Sequence, residues 1–244
     1  MKCFLTSSPF LPGGAALDPA NGFVSELKKA VPVPCNGLFI CSDPADYPFT
    51  DGFADMMHTV LTGGGISFDQ YNILDDRNAD MAAELVASAD LIILAGGHVP
   101  TQNKFFEEIG LRKIMSTYTG AVIGISAGTM NSADTVYAQP ELDGEAVDPN
   151  YKRFLTGLGL TSIMVLPHYQ AIKDTVLDGL RVFEDISYGD SFGRKFYALP
   201  DGSWLYIHDG VTELRGEAYL IQDGVLSKIS DVNDVVMLTN EEYA

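Results

Sequence analysis

The sequence predicts a three-layer α/β/α fold on a mostly parallel sheet, with antiparallel hairpins at the C-terminal end. Three observations carry that expectation. Through residue 150, short apolar runs alternate with segments of helical period, and β-then-α repetition requires crossover connections that cover both faces of a parallel sheet. Apolar residues make up 46% of the chain, enough to bury such strands on both sides. From about residue 194 the rhythm gives way to short β-rich runs cut by Asp-Gly pairs at 201, 209 and 223, the chemistry of tight hairpins.

Taken in order, "CFLTS" reads as a strand and "GFVSELKKAV" as the helix that follows it. "GLFICS" and "DGFADMMHTVL" repeat the pair, as do "ISFDQYNIL" with "ADMAAELVAS" and "DLIILAGG" with "FFEEIGLRKIM". "AVIGIS" is the next strand and leads into a short helix. Beyond residue 150, "TSIMVLPHYQ" reads as one more parallel strand and "IKDTVLDGLRVFED" as its helix. No linker-like composition separates the terminal hairpins from the rest, so one domain over residues 1–244 is expected. The chain shows no fixed-period repeat, low-complexity tract or heptad pattern.

A net charge of −18, spread along the chain, argues against binding nucleic acid or an anionic membrane surface. No stretch approaches the roughly 18 apolar residues of a membrane span, and polar residues interrupt the opening "MKCFLTSSPFLPGG" too early for a secretory leader. Cys3, Cys35 and Cys41 form no CxxC or Cys/His cluster. They read as reduced core thiols of a cytoplasmic protein. The four histidines show no metal-ligand spacing, and neither a metal nor a cofactor is expected.

Ser126 is the candidate nucleophile. It sits in Gly124-Ile125-Ser126-Ala127-Gly128, a Gly-x-Ser-x-Gly pattern between an apolar strand and a small-residue helix start. In that setting a sharp strand-to-helix turn exposes the serine, small neighbours permit the turn, and the next N–H, here that of Ala127, can bind an oxyanion. The alternative is a small residue at a structural turn. Of the histidines, His58 falls inside an amphipathic helix, His98 follows Gly96-Gly97, and His208 precedes an Asp-Gly turn. His168 ends the next parallel strand after the nucleophile, which puts it on the same sheet edge and makes it the expected general base. Gly97, in "LAGGH", is the candidate second oxyanion donor, since glycine lets a backbone N–H approach a ligand closely. Neither that segment nor "TGGGIS" carries a phosphate-loop pattern.

The opening "CFLTSS", the strand-end "AGG", "GISAG", "LPHYQ" and "LPDGSWL" resemble, in order and spacing, the dipeptidase E and cyanophycinase family of serine peptidases over most of the chain. The resemblance implies a fold like that of class I glutamine amidotransferases, with serine in place of the elbow cysteine. It implies attack by Ser126, proton transfer by His168, and oxyanion donors at Ala127 and Gly97. Asp201, 33 positions beyond His168, stands where the family typically has an acid, usually glutamate. Glu141, fifteen residues after Ser126, also matches a family acid. Asp201 is preferred because it follows a strand end, where a short carboxylate can hold the imidazole tautomer; an ordinary Asp-Gly hairpin is its alternative. Gln102 stands in the place of a family substrate contact. Dipeptidase E recognises an N-terminal aspartate and cyanophycinase a β-aspartyl-arginine polymer, yet nothing places Arg181, Arg194 or Lys195 at the site, so aspartyl specificity is not inferred.

The expectation is therefore a cofactor-independent serine peptidase of dipeptidase E type acting on small peptides, as a monomer or homodimer. Two other readings stand beside it: an α/β-hydrolase-type esterase using His208, and a non-catalytic binding protein on the same fold.

Overall fold

Residues 1–238 are described by a computed structural model, and in it the most apolar runs of the sequence become the innermost strands. β1 (Lys2–Thr6), β2 (Cys35–Ile40), β3 (Phe68–Leu74), β4 (Leu91–Leu94) and β5 (Ala121–Ile125) pair in parallel in the order β3-β2-β4-β5-β1. Every residue of β4 and β5 is buried. Alternation along the strands then divides the core. Cys3, Leu5, Leu38, Ile40, Ile92, Leu94 and Val122 point into one apolar layer, whereas Phe4, Phe39, Leu91, Ile93, Ala121 and Ile123 point into the other.

Helices α1 (Phe23–Ala30) and α2 (Tyr47–Gly63) cover the second layer through Leu27, Met57 and Leu61. α3 (Ala82–Ser88), α4 (Val99–Glu108) and α5 (Leu111–Met115) cover the first through Val86, Phe105, Phe106, Leu111 and Met115. Asp46 starts α2, its side chain accepting from the Phe49 N–H at 3.1 Å with Pro48 in the first turn. Gly110, at φ +65°, separates α4 from α5 in what the sequence suggested as one helix. α6 (Ala127–Asn131) follows β5 directly.

Next come the short strands β6 (Thr135–Tyr137) and β7 (Phe154–Thr156), which form their own ribbon, then β8 (Met164–Leu166) and the one-turn α7 (Tyr169–Ile172). The remainder is β9 (Val176–Leu177), β10 (Leu180–Arg181), two short helical turns over Val182–Ser187 and Tyr188–Asp190, β11 (Lys195–Ala198), β12 (Trp204–His208), β13 (Val211–Arg215), β14 (Ala218–Gln222), β15 (Val225–Ser230) and β16 (Val235–Leu238). β12, β13 and β16 extend the central sheet antiparallel from β1, to eight strands. β8, β11, β14 and β15 build a separate four-stranded sheet.

Three features differ from the sequence expectation. β8, which ends just before His168, does not join the central sheet; it pairs in parallel with β11 in the second one. The terminal strands are likewise divided between two sheets, because Pro200 cannot continue the β11 ladder and Gly202, at φ +84°, turns the chain toward β1. "IKDTVLDGLRVFED" is not one helix: it forms β9, a turn and β10, and only its last four residues enter a helical turn, Val182–Ser187. Asp178 and Gly179, at φ +52° and +83°, make a tight turn between β9 and β10, and a turn with both central residues at positive φ is the one Asp-Gly favours. Among the described residues no helix is long and apolar enough to cross a membrane.

The antiparallel half is joined to the parallel half by an aromatic group. Phe4, fully buried, lies 5.5 Å from Trp204, 4.8 Å from its direct cross-strand partner Tyr206, and 6.0 Å from Phe23 of α1. Phe4→Ala is therefore expected to lower stability by about 3–5 kcal/mol in urea denaturation. A loss under about 1 kcal/mol would show that the cluster does not hold the two halves together.

Candidate active site

β5 ends against the start of α6, and the turn between them is strained. Ser126 sits at φ +49°, ψ −108°, a conformation a non-glycine residue adopts only when its surroundings impose it. A Cβ on Gly124 would come within 3.0 Å of the Thr129 N and Cα, and one on Gly128 would run into the Leu94 carbonyl. Both glycines are thus set by the close approach of α6 to β4 and β5. The Ser126 N–H is shared between the Thr6 and Ser7 carbonyls at 3.2 and 3.1 Å. Thr129 Oγ1 donates to the Thr6 carbonyl at 2.7 Å, and Thr6 Oγ1 to the Gly124 carbonyl at 2.8 Å. Ala127 N–H belongs to the first turn of α6, where no carbonyl one turn back can accept it.

His168 lies between β8 and α7 in the left-handed region, φ +56°. Its Nδ1 is 2.7 Å from Asp201 Oδ1. The same oxygen accepts from Ser7 Oγ at 2.8 Å, while Oδ2 accepts from Gln170 Nε2 at 2.6 Å and Gln170 Oε1 receives the Asp201 N–H at 3.0 Å. Ser7 Oγ in turn accepts the His168 N–H at 2.7 Å. With Nδ1–H donated to the carboxylate, Nε2 carries the free lone pair of the neutral ring. Partial burial would raise the Asp201 pKa, but the bonds from His168, Ser7 and Gln170 outweigh it and hold the carboxyl below its ordinary range. Asp201 is not in a hairpin, since β11 and β12 belong to different sheets.

Ser126 and His168 together line two cavities. One, of about 670 Å³, runs along α2 and includes Gly96 and Gly97; the other, of about 140 Å³, is bounded by Gln139, Pro140 and Glu141. Gly97 packs so closely on Ser42 that a Cβ there would collide with its hydroxyl. Glu141 is 44% exposed, accepts the Val99 N–H at 3.3 Å and lies 4.0 Å from His98 Nε2. Loss of hydration in the cleft raises its pKa, with the His98 charge opposing.

The remaining residues singled out in the sequence lie elsewhere. Gln102, expected as a substrate contact, is fully buried: its Nε2 donates to the Cys41 and Ala95 carbonyls at 3.2 and 2.8 Å, and its Oε1 accepts from Asn131 at 3.0 Å. It clamps the β4–α4 turn instead, because burial leaves its amide no face toward either cavity. His98 stands at the N-terminal boundary of α4 and tethers the 141–145 loop, its Nε2 lying 2.8 Å from Glu145. His58 packs on Phe68 and Tyr71. His208 pairs across from Val211 at the far end of β12, four residues and so roughly 13 Å from the Trp204–Thr6 end beside Ser126. Arg181 is paired with Asp185, Arg194 lies over the Phe154 ring, and neither they nor Lys195 line the cavities. The three cysteines are free and buried, with burial pushing Cys35 up to about 11 and Cys3 to about 12. Among the described residues no His, Cys, Asp and Glu side chains converge in a metal-binding group. Two site residues escaped sequence reading, Ser7 and Gln170. The only available signals were the position of Ser7 at a parallel strand end and of Gln170 two residues after His168.

A strained serine on a strand-to-helix turn, with a histidine tied to a carboxylate and lining the same two cavities, has the make-up of a serine hydrolase on an α/β/α frame. The chain belongs to peptidase family S51, the dipeptidase E family, whose profile matches residues 45–215, and it is a serine-type peptidase. The match spans Ser126, His168 and Asp201 and leaves Ser7 outside. A solved structure from Listeria monocytogenes EGD-e, assigned as a peptidase E, is similar in fold: TM-score 0.58, 17% identity, covering 94% of this chain and 98% of that one. No curated protein gives a significant match.

The Asp201 carboxyl titrates below its ordinary value in the folded chain, so its share of stability is complete above the unfolded pKa of about 4 and disappears as pH falls from there through the folded value. Wild type and Asp201→Asn, compared by urea denaturation from pH ~6 to ~3, should therefore converge toward acid. A gap independent of pH would mean that these bonds do not hold the carboxylate. Ser7→Ala, which strips one bond from each of His168 and Asp201, should lower stability by about 1–3 kcal/mol.

Proposed function

We propose that Ser126, His168 and Asp201 form a catalytic triad and that the protein is a dipeptidase E-like exopeptidase, hydrolysing small peptides through an acyl-enzyme. The observation that carries this reading is the 2.7 Å contact between His168 Nδ1 and Asp201 in a histidine that shares both cavities with the strained Ser126. His168 Nε2 takes the Ser126 hydroxyl proton as Oγ attacks the scissile carbonyl. The oxyanion that forms is met by the N–H groups of Ala127 and Gly97, a donor of this kind being worth about 3–4 kcal/mol in the transition state. The imidazolium, stabilised by Asp201, passes its proton to the leaving amine. Water then enters, His168 removes a proton from it, and attack on the ester releases the acid and returns the proton to Ser126.

Exopeptidase action is supported by the smaller cavity. At about 140 Å³, with Gln139, Pro140 and Glu141 in its lining, it is of a size to seat a chain terminus, and the Glu141 carboxylate suits a free ammonium. Glu141 thus serves in binding and Asp201 in orienting His168. We assign the whole chain to one peptidase domain, and the three free, buried cysteines support a cytoplasmic location.

Intact-mass labelling with a fluorophosphonate should give a single adduct on wild type and none on Ser126→Ala or His168→Ala. A folded but unlabelled wild type would favour the binding-protein reading. On dipeptide substrates, Asp201→Asn should cost roughly 10³–10⁴-fold in kcat, while Glu141→Gln should raise KM with kcat largely kept. The reverse pattern would transfer the orienting role to Glu141.

A further inference from the structure

We infer that the larger cavity receives a bulky apolar side chain, aromatic or long aliphatic, on the residue whose carbonyl is attacked, and that it discriminates against an acidic one. The inference rests on the serine peptidase reading above and concerns its substrate class. Position comes first. Gly96 and Gly97 line this cavity and not the smaller one, so it opens on the side where the oxyanion, and hence the acyl residue, would lie.

Its walls are Phe10, Pro48, Phe49, Phe53, Met56 and Ile125, in a volume of about 670 Å³, ample for an aromatic side chain. The wall along α2 is braced from within. Phe53 packs edge-on against the fully buried Phe39 at 5.4 Å, and Phe49 packs against Phe53 at 5.9 Å. Phe49 is nonetheless 48% exposed, an aromatic edge left at the mouth, where an apolar side chain of substrate would cover it.

Charge points the same way. His168 is the one titratable residue in the lining. The charges on the segment that forms the wall are Asp43, Asp46, Asp51 and Asp55, all acidic. Arg77, the cation that reaches α2, is committed to Asp51 and Asp75 and lies over the Tyr47 ring at 4.7 Å. A substrate carboxylate in this cavity would rest against aromatic rings, with no Lys or Arg in the lining to pair with it.

The test measures inactivation by the diphenyl phosphonate analogues of phenylalanine, leucine and aspartate, with a fluorophosphonate lacking a side chain as the control for serine reactivity. The phenylalanine and leucine analogues should react at least ~50-fold faster than the aspartate analogue, within the range a pocket of fixed chemistry gives. Phe49→Ala, at an exposed position, should lower the ratio of the phenylalanine-analogue rate to the control rate several-fold. Phe49→Arg should narrow the gap to aspartate. An aspartate analogue that reacts as fast as the others, or a Phe49 variant that alters nothing but the control, overturns the inference. If the control itself fails to label Ser126, the peptidase reading falls. Calorimetric titration with phenylalaninamide and aspartamide then judges the cavity alone, and equal affinities would overturn it.

Discussion

The strained turn at Ser126 depends on how closely the first residues of α6 can approach the ends of three parallel strands. Gly124 and Gly128 remove the side chains that would block that approach, at Thr129 and at the Leu94 carbonyl. Hydrogen bonds then take up the strain: the Ser126 N–H to the carbonyls of β1, and Thr6 and Thr129 across the same gap. The core beneath supports them, because β4 and β5 are buried along their full length and cannot shift independently of the layers they separate. A positive-φ serine is tolerated here because the surrounding structure leaves it no alternative.

The second half of the site reaches that edge by a different route. His168 and Asp201 follow strands of the smaller sheet, whereas Ser126 follows a strand of the large one. Ser7, at the end of β1, joins them: it holds the His168 backbone and the Asp201 carboxylate with one hydroxyl while its own carbonyl accepts the Ser126 N–H. One buried residue therefore touches all three proposed triad members. Gln170 completes the seat of Asp201 from α7. A carboxylate with that many donors remains ionised well into acid, which keeps the imidazole in the tautomer that leaves Nε2 open.

Much of the larger cavity's apolar wall and the strained turn at Ser126 are built by different elements. α2 supplies Pro48, Phe49, Phe53 and Met56 to that cavity, none of which is needed to make the turn at Ser126. The small acidic cavity belongs to the 139–141 loop, tethered through Glu145 to His98. Substitution in one helix or one loop can thus reshape either cavity while the Ser126 turn and the His168–Asp201 contact stay as they are. That separation fits a fold shared with the Listeria protein at 17% identity.

Read alone, the sequence determined the layered architecture and the elbow, because both rest on local patterns: apolar runs of strand length, helical periodicity, and two glycines spaced around one serine. It also drew attention to His168 and Asp201, and the structure brings these two together. What it did not contain was the second sheet. Whether β8 and β11 pair with β5 or with each other is a matter of non-local hydrogen bonds that a strand's own composition does not encode. The 172–185 segment misled for a related reason, since its helical period was interrupted by Asp178-Gly179. Gln102 looked like a substrate contact and became a buried clamp, while Ser7 looked unremarkable and became the joint of the site. A polar side chain's role is set by which donors and acceptors surround it after folding, so tertiary structure alone decides it.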